Sequence, residues 1–259
     1  MTDRRLTPNR DWTTGETPGC VAVSLTDLLA APDGPRDRQL LMGDAVTVLG
    51  TNHGTAHVRA EKDGYHGFVA QSALGPQTHP THRVSAPATH AYAAPDIKSP
   101  DRMSLSYGSH ITATGETGDF IETDHGFLPR QHLMPCDQPA TDPALETLMF
   151  LGTPYLWGGN SRWGVDCSGL VQSALLACAI PCPGDSDLQQ TAFGPALPPG
   201  SARKRGDLLF WKGHVALVHD AHTMIHANAH HMMTRLENIE KALRRLDKEG
   251  IPLAAHIRP

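Results

Sequence analysis

Short apolar stretches separated by glycine and aspartate turns dominate the first part of the chain. They recur at roughly ten-residue spacing between Gly19 and Leu74, a spacing typical of a small barrel or sandwich built only from strands. The predicted strands in this block are Val21–Leu25, Asp44–Leu49, Ala56–Ala60 and Gly67–Ala70. The pattern therefore predicts an all-β domain.

A second block repeats this pattern after a proline-rich segment, Gln71–Pro87, which is predicted to be a linker. Its predicted strands are His110–Thr114, Asp119–Thr123 and Gly126–Leu128. The two blocks end alike, one with GYHGFVAQSAL and the other with DHGFLPRQHL, which indicates a duplicated module. A second linker, Cys136–Pro143, leads to the rest of the chain.

The third block changes from strand spacing to helical spacing. Asp142 and Pro143 predict the start of a short helix over Ala144–Leu151, and apolar residues from Cys167 to Cys178 follow a helical period that Pro181 ends. Three strands and a terminal helix are then predicted: Gly206–Trp211, His214–His219, Met224–Asn228 and Asn238–Lys248. A helix followed by a sheet is an α+β pattern. The predicted organisation is a tail (1–18), two β domains (19–78 and 79–137) and an α+β domain (138–259).

Composition narrows the possible partners. Twenty-two Lys and Arg against 27 Asp and Glu give a net charge of −5 with no long run of one sign, so we expect no nucleic-acid or anionic-membrane partner. The longest apolar run, Ala174–Ile180, is too short to span a bilayer. The opening residues lack the apolar core of a secretory signal, so the expected location is the cytoplasm.

Cys167 is the strongest candidate for chemistry, because it lies at the predicted first turn of a helix, directly after Asp166. Backbone N–H groups and the helix dipole at such a position lower the pKa of a thiol, so the sequence predicts a reactive thiolate. A buried structural cysteine is the alternative interpretation.

A thiol nucleophile needs a base, and two histidines are suitably placed. His214 and His226 lie at equivalent positions on either side of a predicted turn, so both side chains should point to one face of the sheet. His214 would be the base and His226 the residue that orients it. A metal site is the alternative interpretation of the histidine-rich segment: His219, His222, His226, His230 and His231. No HExxH carboxylate accompanies them, and Cys178 and Cys182 lack a second cysteine pair, so no metal or other cofactor is predicted.

Three motifs in order, YLWGGNSRWGVDCSGL, GDLLFWKGHVALV and MIHAN, resemble the NlpC-type cysteine peptidases. The resemblance implies a papain-like α+β domain that cleaves bacterial cell-wall stem peptides, with Cys167 as nucleophile, His214 as base and His226 as third polar residue. It also implies four substrate-binding residues: Tyr155, Asp166, Ser168 and Ser186. Gly184 stands where the family usually has arginine in the stretch that contains Ser186.

The two β blocks resemble bacterial SH3-like domains, which are small barrels. Such tandem domains ahead of an NlpC-type domain resemble the γ-D-glutamyl-L-diamino acid endopeptidases of muropeptide recycling. The resemblance implies stem peptides with a free N-terminal L-Ala as substrates, release of L-Ala-γ-D-Glu, and a substrate contact by Tyr65 in the segment DGYHG. A cell-wall-binding protein, or another thiol acyl-transfer enzyme such as an amidase or transferase, remains an alternative.

Overall fold

A computed structural model describes residues 3–259 of the chain, which separate into two compact units. The first unit ends at Gln138 and consists of β strands and short 3-10 turns. The second unit runs from Pro139 to Pro259 and combines helices with a sheet. None of the helices among the described residues is long and apolar enough to cross a membrane.

The first sheet of the first unit has seven strands in the order β3-β2-β6-β5-β4-β1-β7. All of its neighbouring strands are antiparallel. The strands are β1 (Thr17–Val21), β2 (Leu25–Leu29), β3 (Arg36–Leu41), β4 (Ala45–Asn52), β5 (Thr55–Ala60), β6 (His66–Ala70) and β7 (Leu74–Pro76). Alternating apolar residues such as Val21, Val46, Val58 and Val69 form its core.

The rest of the first unit forms one five-stranded and one three-stranded sheet, in the orders β10-β9-β14-β13-β12 and β11-β8-β15. The strands are β8 (His82–Val84), β9 (Ala88–Tyr92), β10 (Asp101–Ser106), β11 (His110–Ile111), β12 (Gly115–Thr117), β13 (Phe120–Thr123), β14 (Gly126–Pro129) and β15 (Leu133–Pro135). Met42, which follows β3, packs into the core of this second region, and its carbonyl accepts the His110 N–H. The two predicted β domains are therefore joined by packing as well as by the chain.

Several strands lie where the sequence predicts a linker or a loop. Gln71–Pro87 contains a 3-10 turn and the strands β7 and β8, so the prediction of a linker over this whole segment is wrong. The strand β3 was missed because its sequence, RDRQLL, looks like a charged surface segment, yet Arg38 is buried and its guanidinium lies 6.0 Å from the centre of the Tyr65 ring. Tertiary contacts outweigh local strand preference at such positions.

The second unit is built around a five-stranded antiparallel sheet in the order β21-β20-β19-β18-β22. Its strands are β18 (Leu208–Trp211), β19 (His214–Val218), β20 (Thr223–Asn228), β21 (Met233–Asn238) and β22 (Ala255–Ile257). The helices are α1 (Pro143–Glu146), α2 (Cys167–Ala177), α3 (Ser186–Ala192) and α4 (Ile239–Lys248), and a small hairpin joins β16 (Asn160–Ser161) to β17 (Gly164–Val165). This arrangement confirms the α+β class predicted for the second unit.

Two helices cover the central sheet. Buried Ile239, Ala242 and Leu246 of α4 pack on the face that carries Trp211 and Met224, while α2 packs against β19 and β20. The predicted helices at Cys167–Cys178 and Asn238–Lys248 and the three predicted strands match α2, α4, β18, β19 and β20 to within about two residues at each end. The structure adds β21, β22 and α3, which were not predicted.

Candidate active site

Helix α2 begins at the candidate nucleophile. Asp166 is its N-cap, and its Oδ1 accepts hydrogen bonds from the backbone N–H of Gly169 at 2.7 Å and from the Ser168 hydroxyl at 3.0 Å. Its Oδ2 accepts a third hydrogen bond, from the Gly158 N–H at 2.9 Å. The capping carboxylate therefore fixes the glycine-rich approach loop and places Cys167 at the first position of the helix.

The Cys167 thiol lies next to the start of strand β19. It is 6% exposed, and the backbone N–H of Val215 donates a hydrogen bond to its sulfur. Burial, together with the nearby Asp166 carboxylate, raises the pKa of the Cys167 thiol to about 12. The expectation of a lowered thiol pKa is therefore wrong, because burial outweighs the hydrogen bonds and the helix start.

His214 and His226 form a hydrogen-bonded pair on adjacent strands. His214 opens β19 and His226 lies on β20, with His214 Nε2 and His226 Nδ1 2.9 Å apart and ring centres 5.1 Å apart. The register, in which Leu217 pairs with Ile225, places the two side chains diagonally on one face. The prediction that both histidines share a face is confirmed.

The surroundings of His214 keep its imidazole neutral. The Trp211 ring lies 5.6 Å from it across the β18–β19 hairpin. Burial, together with the charge of the neighbouring His226, lowers the pKa of His214 to about 3. An imidazole that is neutral at physiological pH can accept a proton, as a general base must.

Glu237, which was not predicted from the sequence, forms a hydrogen bond with the second histidine of the pair. It lies on β21, and its Oε2 is 2.9 Å from His226 Nε2 and accepts a hydrogen bond from Arg245 Nη2 at 2.9 Å. Burial raises the pKa of Glu237, but the hydrogen bond from His226 and the charge of Arg245 outweigh burial and lower it to about 2. Glu237 pairs in register with Met224, two residues from His226, so strand periodicity would have revealed it had β21 been predicted.

Two more predicted residues lie beside the thiol. Tyr155 is half-buried, its N–H donates to the Met232 carbonyl, and burial together with the charges of Cys167 and Asp166 raises the pKa of its hydroxyl. Ser168 is buried and its hydroxyl is used in the contact with Asp166. The structure thus brings Tyr155, Asp166 and Ser168 together around Cys167, and their roles in substrate binding stay predictions.

Ser186 and Tyr65 have different surroundings. Ser186 is the first residue of α3, and α3 is tied to the start of α2 by Gln189, whose side-chain amide donates to the Ser168 carbonyl at 2.9 Å. Tyr65 lies in the first unit, where it is 2% exposed and packs in the core of the seven-stranded sheet. The substrate contacts of both residues stay predictions, and Tyr65 is a core residue of its own unit.

The structure does not bring together the five histidines that the alternative interpretation treated as metal ligands. Within residues 3–259, a different set of three possible metal ligands comes together: His226, His231 and Glu237, whose ligand atoms lie within 4.8 Å of one another. His226 and Glu237 are already hydrogen-bonded to each other, and Arg245 donates to the same Glu237 oxygen, which places a positive charge where a cation would bind.

Two protein families match separate parts of the chain. Residues 152–245 match the NlpC/P60 family, and residues 28–74 match the bacterial dipeptidyl-peptidase SH3 domain. The first match contains Cys167, His214, His226 and Glu237, and the second contains Tyr65.

Two curated relatives are similar over most of the chain. Gamma-D-glutamyl-L-lysine dipeptidyl-peptidase of Bacillus cereus is 28% identical over 228 residues, which cover 74% of this chain and 67% of the relative. The protein of the same name from Bacillus subtilis is 32% identical over 189 residues, covering 65% of this chain and 62% of the relative. The chain thus spans about two thirds of the length of these relatives.

Solved structures share the fold. A crystal structure of an NlpC/P60 family protein from Bacillus cereus has a TM-score of 0.77 at 22% identity, covering 93% of this chain and 99% of that one. An NlpC/P60 endopeptidase from Photobacterium damselae has a TM-score of 0.60 at 14% identity, covering 97% of this chain and 74% of that one.

The family matches and the relatives together show that the chain is a peptidase that carries an NlpC/P60 cysteine peptidase domain behind a bacterial SH3 domain.

Proposed function

We propose that this chain is a cysteine endopeptidase that cleaves the bond between γ-D-glutamate and the diamino acid in stem peptides of peptidoglycan. Its substrates have a free N-terminal L-Ala, and its product is L-Ala-γ-D-Glu. The observation that carries the proposal is the position of the Cys167 thiol, at the start of α2 and against the strand that opens with His214. The names of the two Bacillus relatives support the choice of bond.

The reaction follows from a neutral thiol and a neutral imidazole. The Cys167 sulfur attacks the γ-carbonyl carbon of D-glutamate while its proton passes to the His214 ring. The C–N bond then breaks, the ring returns the proton to the leaving amine, and a thioester remains on Cys167. Water attacks the thioester with His214 as base, which releases the glutamate carboxyl group and restores the thiol.

Asp166 supports selection for a free amine. Its carboxylate is 8% exposed, and its charge acts on both Cys167 and Tyr155, so negative charge lies directly beside the nucleophile. A buried anion is stabilised by a cationic partner, and the ammonium group of L-Ala supplies one. The matched SH3 family, which is named for bacterial dipeptidyl-peptidases, supports the removal of a dipeptide.

A free N-terminal L-Ala arises on a stem only after its glycan has been removed, which suits a small product of wall turnover. The proposal therefore includes muropeptide recycling as the process and the cytoplasm as the place. It also includes the finer shapes predicted for the domains: two SH3-like barrels and a papain-like catalytic domain.

The experiment incubates the full chain with purified L-Ala-γ-D-Glu-L-Lys, with its meso-diaminopimelate counterpart, with their N-acetylated forms and with intact sacculi, followed by mass spectrometry. We expect L-Ala-γ-D-Glu from the free peptides and cleavage of the acetylated forms that is about 30- to several-thousand-fold slower, the equivalent of about 2–5 kcal/mol for a lost buried charged partner. Asp166→Asn, which keeps an oxygen to cap α2, should narrow that difference by slowing the free peptides.

Cys167→Ala should lower the rate of cleavage by several orders of magnitude. Cys178→Ala, at the other end of the same helix, should cleave at the wild-type rate. Equal cleavage of free and acetylated stems, or cleavage of sacculi alone, would replace the proposal with a wall hydrolase. Transfer of the acyl group to an added amine instead of water would indicate a transferase.

A further inference from the structure

Three hydrogen bonds form a continuous chain of side chains that begins at His214. It links His214 Nε2 to His226 Nδ1, His226 Nε2 to Glu237 Oε2, and Arg245 Nη2 to the same Glu237 oxygen, each at 2.9 Å. His226 is 1% exposed, and the Glu237 and Arg245 side chains are mostly buried. The four side chains come from β19, β20, β21 and α4, so the packing of the whole unit determines their positions.

The carboxylate of Glu237 determines which ring nitrogens of the two histidines carry hydrogen. An ionised carboxylate can only accept, so the hydrogen in the His226–Glu237 contact belongs to His226 Nε2. A neutral imidazole has one N–H, which leaves His226 Nδ1 bare and makes it the acceptor of a hydrogen on His214 Nε2. His214 Nδ1 is then the bare nitrogen of the base.

We propose that Glu237 is a positioning residue that acts through His226 to hold His214 in the Nε2–H tautomer, with Nδ1 available to take the Cys167 proton. This inference rests on the proposed thiol chemistry and adds a fourth side chain to it. Without an acceptor at position 237, His226 can turn its hydrogen to Nδ1 and donate to His214 Nε2. The hydrogen of His214 then lies on Nδ1, and the ring cannot accept a proton from the thiol.

Arg245 distinguishes this role from that of a metal ligand. Its guanidinium donates to the Glu237 oxygen that faces His226 and forms a second ion pair, at 4.0 Å, with Glu249, which directly follows α4. A cation in this position holds the carboxylate ionised and oriented. His231, whose Nδ1 lies 3.0 Å from the Asn228 side-chain oxygen, is close to Glu237 but outside the chain of hydrogen bonds, and therefore provides a matched control.

The experiment measures the rate at which iodoacetamide alkylates Cys167, read by mass spectrometry of its tryptic peptide so that other cysteines do not contribute. It needs no peptide substrate, so it can succeed even if the proposed substrate is wrong. Glu237→Met removes the acceptor at nearly constant size and should slow alkylation and peptide turnover by about 10- to 100-fold. Glu237→Gln keeps an acceptor oxygen and should lose less, and His231→Ala should alkylate at the wild-type rate.

A spectroscopic measurement covers the case in which Glu237→Met does not fold. In wild-type protein labelled with ¹⁵N-histidine, the ring nitrogens of His214 and His226 should report hydrogen on Nε2 and a bare Nδ1 in both residues. Hydrogen on Nδ1 of His226 overturns the proposal, as does alkylation of Glu237→Met at the wild-type rate. Equal losses in the Gln and Met variants, with equal losses of thermal stability, would show a structural role and overturn it as well.

Discussion

Each unit of the molecule contains a pair of neighbouring histidines, and the two pairs differ in their hydrogen bonds. In the second unit, the rings of His214 and His226 are joined nitrogen to nitrogen, and the chain ends on Glu237. In the first unit, His57 and His66 are 1% and 6% exposed with ring centres 5.8 Å apart, a spacing similar to the 5.1 Å between His214 and His226. There, neither Nδ1 has a hydrogen-bond partner within residues 3–259, and His57 stacks on Phe68 at 4.9 Å.

The difference shows what makes a histidine pair chemically useful. Burial lowers the pKa of both His57 and His214, to about 4 and about 3, so a neutral ring is common to both pairs. The second pair adds an acceptor, Glu237, at one end, and the strand that His214 opens passes next to the Cys167 sulfur at Val215. A buried histidine pair without such hydrogen bonds is an aromatic packing element, whereas the hydrogen-bonded pair has the arrangement that the proposed base requires.

The largest expected effect separates the two pairs by activity. His214→Ala removes the base and should lower kcat/KM on the free stem peptide by about 10²- to 10⁴-fold, the usual contribution of general base catalysis. His57→Phe replaces a stacked ring by another and should leave kcat/KM unchanged. Comparable losses in both variants would show that the first pair also serves the reaction, and circular dichroism would check that both variants fold.

Variants of the second histidine in each pair, His226 and His66, should also differ in kcat, but by a smaller factor. His226→Phe breaks the link between His214 and Glu237 while it keeps a ring in place, and should lower kcat by about 10- to 100-fold. His66→Phe, its counterpart in the first unit, should have wild-type kinetics. Steady-state kinetics on the free tripeptide checks both, and an unaffected kcat in His226→Phe would contradict the role assigned to the pair.

The third prediction concerns stability in acid. The unfolded chain binds protons at histidine near pH 6.5, whereas folded His57 stays neutral down to about pH 4. Stability from this residue is therefore complete above about pH 6.5 and is lost as the pH falls, by about 1.4 kcal/mol at pH 5.5. The free energy of unfolding should fall less between about pH 7.5 and 5.5 in His57→Phe than in the wild type, by about that amount.

Denaturant titrations of the full chain at the two pH values measure this difference. Parallel losses in wild type and His57→Phe would show that His57 does not contribute to acid sensitivity. The same reasoning applies to His214, whose folded pKa is also low, but a variant of His214 is expected to lose activity as well. The His57 test therefore measures the effect of a buried histidine on the free energy of unfolding separately from any effect on catalysis.

The sequence predicted the parts of the site that depend on local spacing. The start of α2 at Cys167 follows from its capping aspartate and helical period, and the shared face of His214 and His226 follows from the period of a strand. Glu237 was missed because β21 lies directly before the predicted terminal helix and was not predicted as a strand. Without that strand, nothing in the sequence places Glu237 beside His226.

The pKa values depend on packing that spacing does not reveal. The helix start predicted a lowered thiol pKa for Cys167, and burial raises it instead. Likewise, the order of strands in the first unit depends on contacts such as the burial of Arg38 beside Tyr65, which a charged local sequence conceals. The local sequence pattern thus located the candidate reacting groups, and tertiary burial determined their protonation states.

The most direct test of the account is the capture of the acyl-enzyme. Wild-type protein mixed with L-Ala-γ-D-Glu-L-Lys, quenched in acid within the first turnover and digested, should carry an L-alanyl-γ-D-glutamyl thioester on the peptide that contains Cys167 and on no other peptide. The adduct should be absent from Cys167→Ala. Turnover of the substrate with no adduct on Cys167, or an adduct on another residue, would contradict the assignment of the nucleophile and with it the role of the histidine pair.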